Sequence, residues 1–132
     1  MRITVLALAA LVATGCMGRG ASVGKITRIS ATSLEISISA AGTDGPTKLW
    51  TLSCPGGGTL PRPTRACSRL EAVDKPFAPV PRNVACTAIY GGPQVADVRG
   101  RFHGRAVNAH FTRTDGCQIN RWNKVRFLFP GT

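Results

Sequence analysis

The sequence predicts an α+β domain in which an antiparallel sheet of about five strands carries one or two short helices on one side. Short runs of alternating apolar and polar residues, separated by Gly- and Pro-rich turns, are typical of antiparallel strands. Between these runs, a Ser-x-x-Glu pair is typical of a helix N-terminus. The length of 132 residues suits one domain with a modest core.

The first two strands are predicted on either side of a Gly- and Pro-containing turn. The run SLEISIS from Ser33 to Ser39 alternates, so that its three apolar residues share one face. After the turn GTDGP, the run KLWTLSC from Lys48 to Cys54 alternates again. The two runs therefore predict an antiparallel hairpin.

A loop and a short helix are predicted next. Glycines and prolines between Cys54 and Cys67 indicate a surface loop, because they fit neither a ladder nor a helix. Ser68 and Glu71 have capping-box spacing, which predicts a short helix from about Ser68 to Asp74. Three prolines end this helix and force an extended approach to the third mature cysteine: Pro76, Pro79 and Pro81.

The C-terminal third predicts a second hairpin and a last strand. The runs QVADVRGRF and RAVNAHF flank His103-Gly104, a two-residue turn that suits a tight hairpin. In the terminal run KVRFLF, three apolar residues alternate, which predicts the final strand: Val125, Phe127 and Phe129.

The N-terminal residues 1–15 have the layout of a secretory signal peptide, with one basic residue, an apolar stretch and then small residues. Cys16 follows directly, as in the bacterial lipoprotein cleavage box that this region resembles, so it is a candidate lipidation site. Ala13-Thr14-Gly15 equally suits an ordinary signal peptidase. We expect residues 16–28 to be a linker and residues 29–132 to be the domain. The product is then secreted, or anchored to the outer face of the cell membrane.

The chain is strongly basic, with 17 Lys and Arg against 6 Asp and Glu, a net charge of +11 that becomes +10 once Arg2 leaves with the signal peptide. Seven basic residues in the C-terminal half could bind a polyanion or could simply be solvated: Arg99, Arg101, Arg105, Arg113, Arg121, Lys124 and Arg126. No nucleic-acid fold signature accompanies them, so no specific nucleic-acid partner is expected.

Catalytic and metal chemistry are poorly supported. The two histidines, His103 and His110, are not placed beside a nucleophile, and the six acidic residues form no paired-carboxylate motif. The cysteines lack C-x-x-C spacing, and an exported chain favours disulfides over thiolates. We therefore expect neither an enzyme, a metal site nor a cofactor.

The stretch ACTAIYGGPQ at residues 85–94 has a different character. Prolines precede it and Gly-Gly-Pro ends it, so its uncharged residues of good β propensity are bracketed as a loop. A protease binds its substrate as an extended segment, and a segment already ordered in that shape binds more tightly. The stretch is therefore a candidate protease-binding loop.

Several segments together resemble the Streptomyces-type subtilisin inhibitor family from about Val23 to Phe129: ACSRLEAV, VACTAIYGGPQ, the hairpin at residues 100–107, DGCQINRW and the terminal FLF. Four mature cysteines allow three pairings. The resemblance implies one of them, Cys54 with Cys67 and Cys86 with Cys117. It also implies a five-stranded sheet with two helices, often dimeric through the sheet.

The same resemblance implies a reactive site at the Ala88–Ile89 bond, with Cys86, Thr87 and Tyr90 also contacting the protease. Ala88 would enter the primary pocket, where a small uncharged residue suits a subtilisin-like or elastase-like enzyme. The chain departs from the family in its high charge, in Thr87 where proline is common, and in Gly-Gly-Pro where an Asp-Pro pair is usual. A basic cell-surface binding lipoprotein on the same fold, without inhibitory activity, is the alternative.

Overall fold

The computed structural model describes residues 31–132. The predicted signal peptide, the linker up to residue 28 and the candidate lipidation site Cys16 lie outside these residues. Within the described part of the chain, no helix has both the length and the apolar character needed to cross a bilayer.

The described chain forms four strands and two helices, followed by a single 3-10 turn. These elements are β1 (Ser33–Ser39), β2 (Thr47–Ser53), α1 (Pro63–Glu71), β3 (Val95–Phe102), β4 (Arg105–Phe111), α2 (Gly116–Val125) and the turn Arg126–Leu128. The strands make one sheet in the order β2-β1-β3-β4, with every neighbouring pair antiparallel. The predicted α+β class and both predicted hairpins are therefore confirmed.

One face of the sheet carries the core. In the centre, Ile36 of β1 lies opposite Trp50 of β2 and Val98 of β3, and both Ile36 and Val98 are fully buried. On the outer face the same register brings Glu35 beside Thr51 and Arg99, all of them exposed. The alternation of apolar and polar residues in the sequence thus gives the sheet one buried face and one solvent-exposed face.

Aromatic residues from the C-terminal part complete the core. Trp122 of α2 lies with its ring centroid 4.5 Å from that of Phe129, and Phe111 of β4 contacts Phe129 with the centroids 5.3 Å apart. All three side chains are buried. Helix α2 therefore packs on the inner face of the sheet through its apolar stripe.

The first helix begins five residues earlier than predicted. Helix α1 starts at Pro63, a residue favoured in the first turn of a helix because its missing N–H would have no partner there. Ser68 consequently lies in mid-helix, where its hydroxyl donates to the Thr64 carbonyl at 3.1 Å instead of capping an N-terminus. The helix ends at Glu71 rather than Asp74. The capping-box interpretation was wrong.

The predicted last strand is also wrong, so the part of the chain that the structure describes has four strands where about five were predicted. The run KVRFLF contains the end of α2 and the 3-10 turn. Asp115 caps α2 by accepting a hydrogen bond from the Gln118 N–H at 2.9 Å, which starts a helix before this run is reached. Trp122 and Val125 are three residues apart and both buried, as on one face of a helix.

Candidate functional site

The candidate loop is an exposed segment without regular secondary structure. Every residue from 81 to 90 is exposed, and no helix or strand is assigned between residues 84 and 94. Its large apolar side chains face solvent, with Ile89 53% and Tyr90 68% exposed. Apolar residues displayed on a surface loop, rather than packed in the core, are typical of a binding segment.

Two disulfides lie where the family resemblance implied. Cys86 pairs with Cys117, with their Cα atoms 5.3 Å apart, and this bridge ties the loop to α2. Cys54 pairs with Cys67, with a Cα separation of 5.7 Å, and joins the end of β2 to α1. Only the first bridge touches the candidate loop.

Backbone hydrogen bonds centre on Thr87. Its carbonyl accepts from the Gly116 N–H at 2.9 Å, at the start of α2, and from the Ile89 N–H at 2.8 Å. The second bond closes a three-residue turn with Ala88 at its centre, and the φ angle of Ala88 is not positive, so this is an inverse γ-turn. The segment is thus not a strand, and Ala88 is at the apex of a turn.

A second attachment holds the C-terminal end of the loop. The Gly91 N–H donates to the Arg113 carbonyl at 2.7 Å, just beyond β4. The Arg113 side chain in turn donates from Nη1 to Gln94 Oε1 at 3.2 Å. Sequence analysis missed the roles of Arg113 and Gly116, because these contacts join segments more than twenty residues apart.

Arg121 forms hydrogen bonds that hold the segment leading into the loop against β4. Its Nε donates to the Ala78 carbonyl at 2.7 Å, and its Nη1 donates to the His110 carbonyl. The guanidinium carbon lies 4.1 Å from the centroid of the Phe111 ring, within cation–π range. Burial lowers the pKa of the Arg121 guanidinium. Sequence analysis had grouped this residue with basic side chains that either bind a polyanion or are solvated.

A comparison with protein-family models shows to which family the chain belongs. Residues 15–114 match the family model described as subtilisin inhibitor-like. The chain belongs to the subtilisin inhibitor-like family. Protease inhibition, rather than catalysis, is therefore the general function that its family indicates.

A solved structure is also similar: Streptomyces caespitosus sermetstatin in complex with Bacillus licheniformis subtilisin. The identity is 20%, the match covers 76% of this chain and 98% of that chain, and the TM-score is 0.49. No curated protein matches this subtilisin inhibitor-like chain.

The basic residues of this subtilisin inhibitor-like domain do not form one surface. Arg99 and Arg101 alternate onto the outer face of the sheet, whereas Arg105 lies opposite Phe102 on the inner side. Arg113 and Arg121 are half-buried and bonded within the domain. The arrangement favours the interpretation of these residues as separate solvated or structural groups.

The histidines of the domain each contact a carboxylate. His103 Nε2 lies 2.7 Å from Glu71, and His110 Nδ1 lies 2.9 Å from Asp97. Both pairs are substantially exposed. Exposed contacts of this kind contribute little stability and are ordinary surface features.

Among residues 31–132, one group has metal-ligand atoms within 4.8 Å of one another: Cys86, Asp115 and Cys117. Both of its sulfurs are in the disulfide and supply no thiolate.

Proposed function

We propose that this chain inhibits an extracellular subtilisin-like serine protease by presenting residues 84–90 as a substrate-like segment, with Ala88–Ile89 as the scissile bond. The observation that carries the proposal is the attachment of an exposed loop on both sides of that bond in a member of this family. Cys86 and Thr87 are held before the bond, and Gly91 is held after it. A loop ordered before binding loses little conformational entropy on binding.

The mechanism follows the ordinary acylation step of a serine protease. The protease serine attacks the carbonyl carbon of Ala88, and its proton passes through the protease histidine to the leaving nitrogen of Ile89. In a free peptide the amine product diffuses away and water hydrolyses the acyl-enzyme. Here both new chain ends stay attached to the domain, so the amine can attack the ester and reform the peptide bond.

The side chain at the apex of the turn sets the class of target. Ala88 offers one methyl group and no charge, so it fits a small or apolar primary pocket and provides no partner for the carboxylate of a trypsin-like pocket. Around it, Ile89 and Tyr90 offer exposed apolar surface, and tyrosine is enriched among residues that dominate binding energy. Thr87 and Cys86 complete the proposed contact segment.

The proposal also covers where the chain is located and whether it forms a dimer. Residues 1–15 direct export of the chain and are then removed, and Cys16 is either lipidated, which anchors the chain to the outer face of the membrane, or left without a lipid in a secreted chain. Assembly into a homodimer through the polar outer face of the sheet, where Glu35 lies beside Arg99, completes this picture. Acylation of Cys16 would appear as a mass increase that is lost in Cys16→Ser.

Titration of a subtilisin with the purified protein, before and after reduction, tests the inhibition directly. We expect stoichiometric inhibition that reduction weakens. Ala88→Arg should move inhibition from subtilisin to trypsin, because the new guanidinium pairs with the carboxylate of the trypsin pocket. Ala72→Arg is the matched control, since Ala72 is exposed at the C-terminal end of α1 and the substitution adds the same charge there.

Unchanged affinity of Ala88→Arg for both enzymes would refute the assignment of the reactive bond. The alternative function, a basic surface-binding lipoprotein without inhibitory activity, predicts a different pattern. It requires salt-sensitive binding to an anionic polymer that loop substitutions leave intact and that removal of Arg99, Arg101 and Arg105 weakens.

A further inference from the structure

The two chain ends that cleavage of Ala88–Ile89 would create are held by different kinds of bond. The acyl end follows Cys86, which is covalently tied to Cys117. The amine end at Ile89 gains no such bridge, and its nearest attachment to the domain is the hydrogen bond at Gly91. Retention of the amine therefore depends on noncovalent contacts.

We infer that Gly91, Arg113 and Ile119 form a leaving-side clamp, whose role is to keep the Ile89 amine beside the acyl-enzyme so that the peptide bond reforms. The inference rests on the proposed function and adds to it a positioning role for three residues outside the contact segment. Neither Arg113 nor Ile119 belongs to the loop, and the clamp acts through Gly91.

A side chain at position 91 would require the neighbouring side chains to move. Its N–H donates to the Arg113 carbonyl at 2.7 Å. A Cβ atom at this position would lie 2.9 Å from Cδ1 and Cγ1 of Ile119 and 3.2 Å from Cβ of Arg113. The loop backbone therefore lies directly on the side chains of α2 and of the segment after β4. Ile119 is itself fixed in the capped first turn of α2, where its N–H donates to the Asp115 carbonyl at 2.9 Å.

Gly92 allows Gln94 to hold Arg113 against Gly91. Gly92 has a φ angle of +126°, which residues with a Cβ rarely adopt. A Cβ there would overlap Gln94 Oε1, the atom that accepts from Arg113 Nη1 at 3.2 Å. The Gln94 side chain thus folds over Gly92 and holds Arg113 in place. The Gly-Gly pair, one of the departures from the family pattern, has a physical reason in this packing.

The clamp affects whether the acyl-enzyme is religated or hydrolysed. In the forward direction the protease serine oxygen bonds to the Ala88 carbonyl carbon and the Ile89 nitrogen leaves as an amine. In religation that amine attacks the same carbon, and the serine oxygen leaves with a proton returned through the histidine. Only Ile89 and Tyr90 separate the amine from the clamp, so its effective concentration at the ester stays high.

The test measures the ratio of intact to cut inhibitor at equilibrium with a catalytic amount of subtilisin, approached from intact and from pre-cut protein. We expect Gly91→Ala to lower this ratio about fivefold, the factor expected for loss of one backbone hydrogen bond. The association rate constant should change by less than about twofold, because contact residues are unaltered. Adding Ile119→Ala to Gly91→Ala removes the two closest crowding atoms, Cδ1 and Cγ1 of Ile119, and leaves Arg113 Cβ, so it should restore part of the ratio.

Gly57→Ala is the matched control, since its added Cβ meets only Ser53 at 3.4 and 3.5 Å, far from the loop in sequence, and its φ is not positive. Thermal unfolding shows whether each variant is folded. If Gly91→Ala does not fold, Gln94→Ala, which removes the partner of the Arg113 side chain, should lower the ratio instead.

A ratio unchanged from wild type in a folded variant that still inhibits would overturn the clamp and leave the proposed function intact. A wild-type protein that neither inhibits subtilisin nor is cut between Ala88 and Ile89 would overturn the proposed function itself.

Discussion

Removal of the two disulfides one at a time separates their contributions to folding and to inhibition. The Cys86–Cys117 bridge spans 31 residues and the Cys54–Cys67 bridge spans 13. Loop-closure entropy alone then gives a stabilisation of about 3.7 kcal/mol for the longer span and about 2.9 kcal/mol for the shorter. The two double variants, Cys86→Ala/Cys117→Ala and Cys54→Ala/Cys67→Ala, should therefore lose similar stability, within about 1 kcal/mol of each other.

Inhibition should respond quite differently. Only the longer bridge holds the acyl side of the proposed scissile bond Ala88–Ile89, so its removal should turn the protein into a substrate that subtilisin cleaves and releases. The variant without the Cys54–Cys67 bridge should still inhibit at temperatures where it is folded. Urea denaturation gives the stability of each variant, and subtilisin titration followed by mass spectrometry gives inhibition and cleavage. Equal loss of inhibition in two equally folded variants would refute this reasoning.

Three further substitutions test the scaffold by urea denaturation. Asp115→Ala removes the cap of α2 and should cost about 1 kcal/mol, whereas an unchanged midpoint would mean that the hydrogen bond to Gln118 contributes nothing. Arg121→Met deletes the donors to two backbone carbonyls and should cost about 1–3 kcal/mol, against less than about 0.5 kcal/mol for the exposed Lys124→Ala. Gly100→Ala should be the most damaging, since a Cβ there would overlap the Ser33 carbonyl at a φ of +132°; a stable, soluble variant would contradict the strand register.

Local sequence patterns predicted the two hairpins because a hairpin depends on neighbouring residues. The alternation in SLEISIS and RAVNAHF, with glycines between strands, identifies both faces and both turns. The pairing of β1 with β3 joins Ile36 to Val98 across more than sixty residues, and no local pattern encodes it. Periodicity alone therefore could not predict the pairing of β1 with β3 at the centre of the sheet.

The C-terminal error has a clear cause. In KVRFLF, apolar residues at every second position suit a strand, but the helix that contains Val125 starts at Gly116, directly after the Asp115 cap and well before this run. A six-residue window does not include that cap, nor Trp122, whose burial sets the helical face. Likewise, Pro63 in the first turn of α1 outweighed the capping-box spacing at Ser68.

The candidate loop was recognised from composition and family resemblance, whereas its supports were not. Cysteine, proline and glycine bracket the loop in sequence, but the partners that fix it, Arg113 and Gly116, follow β4, and nothing in the sequence marks them as contacts of the loop. Their contribution is made through a backbone carbonyl and a backbone N–H, which any residue type supplies. Only the three-dimensional arrangement distinguishes them.

The segment from residue 84 to residue 90 contributes no side chain to the hydrophobic core. Apart from Cys86, which is held in the bridge to Cys117, residues of this segment are consequently free of the packing constraints that limit change at positions such as Trp122. Under the proposed function, natural selection or a protein engineer can exchange the residues offered to a protease while the folding of the domain stays as it is. A lineage facing a new protease would then have a short path to a matching inhibitor, one loop residue at a time.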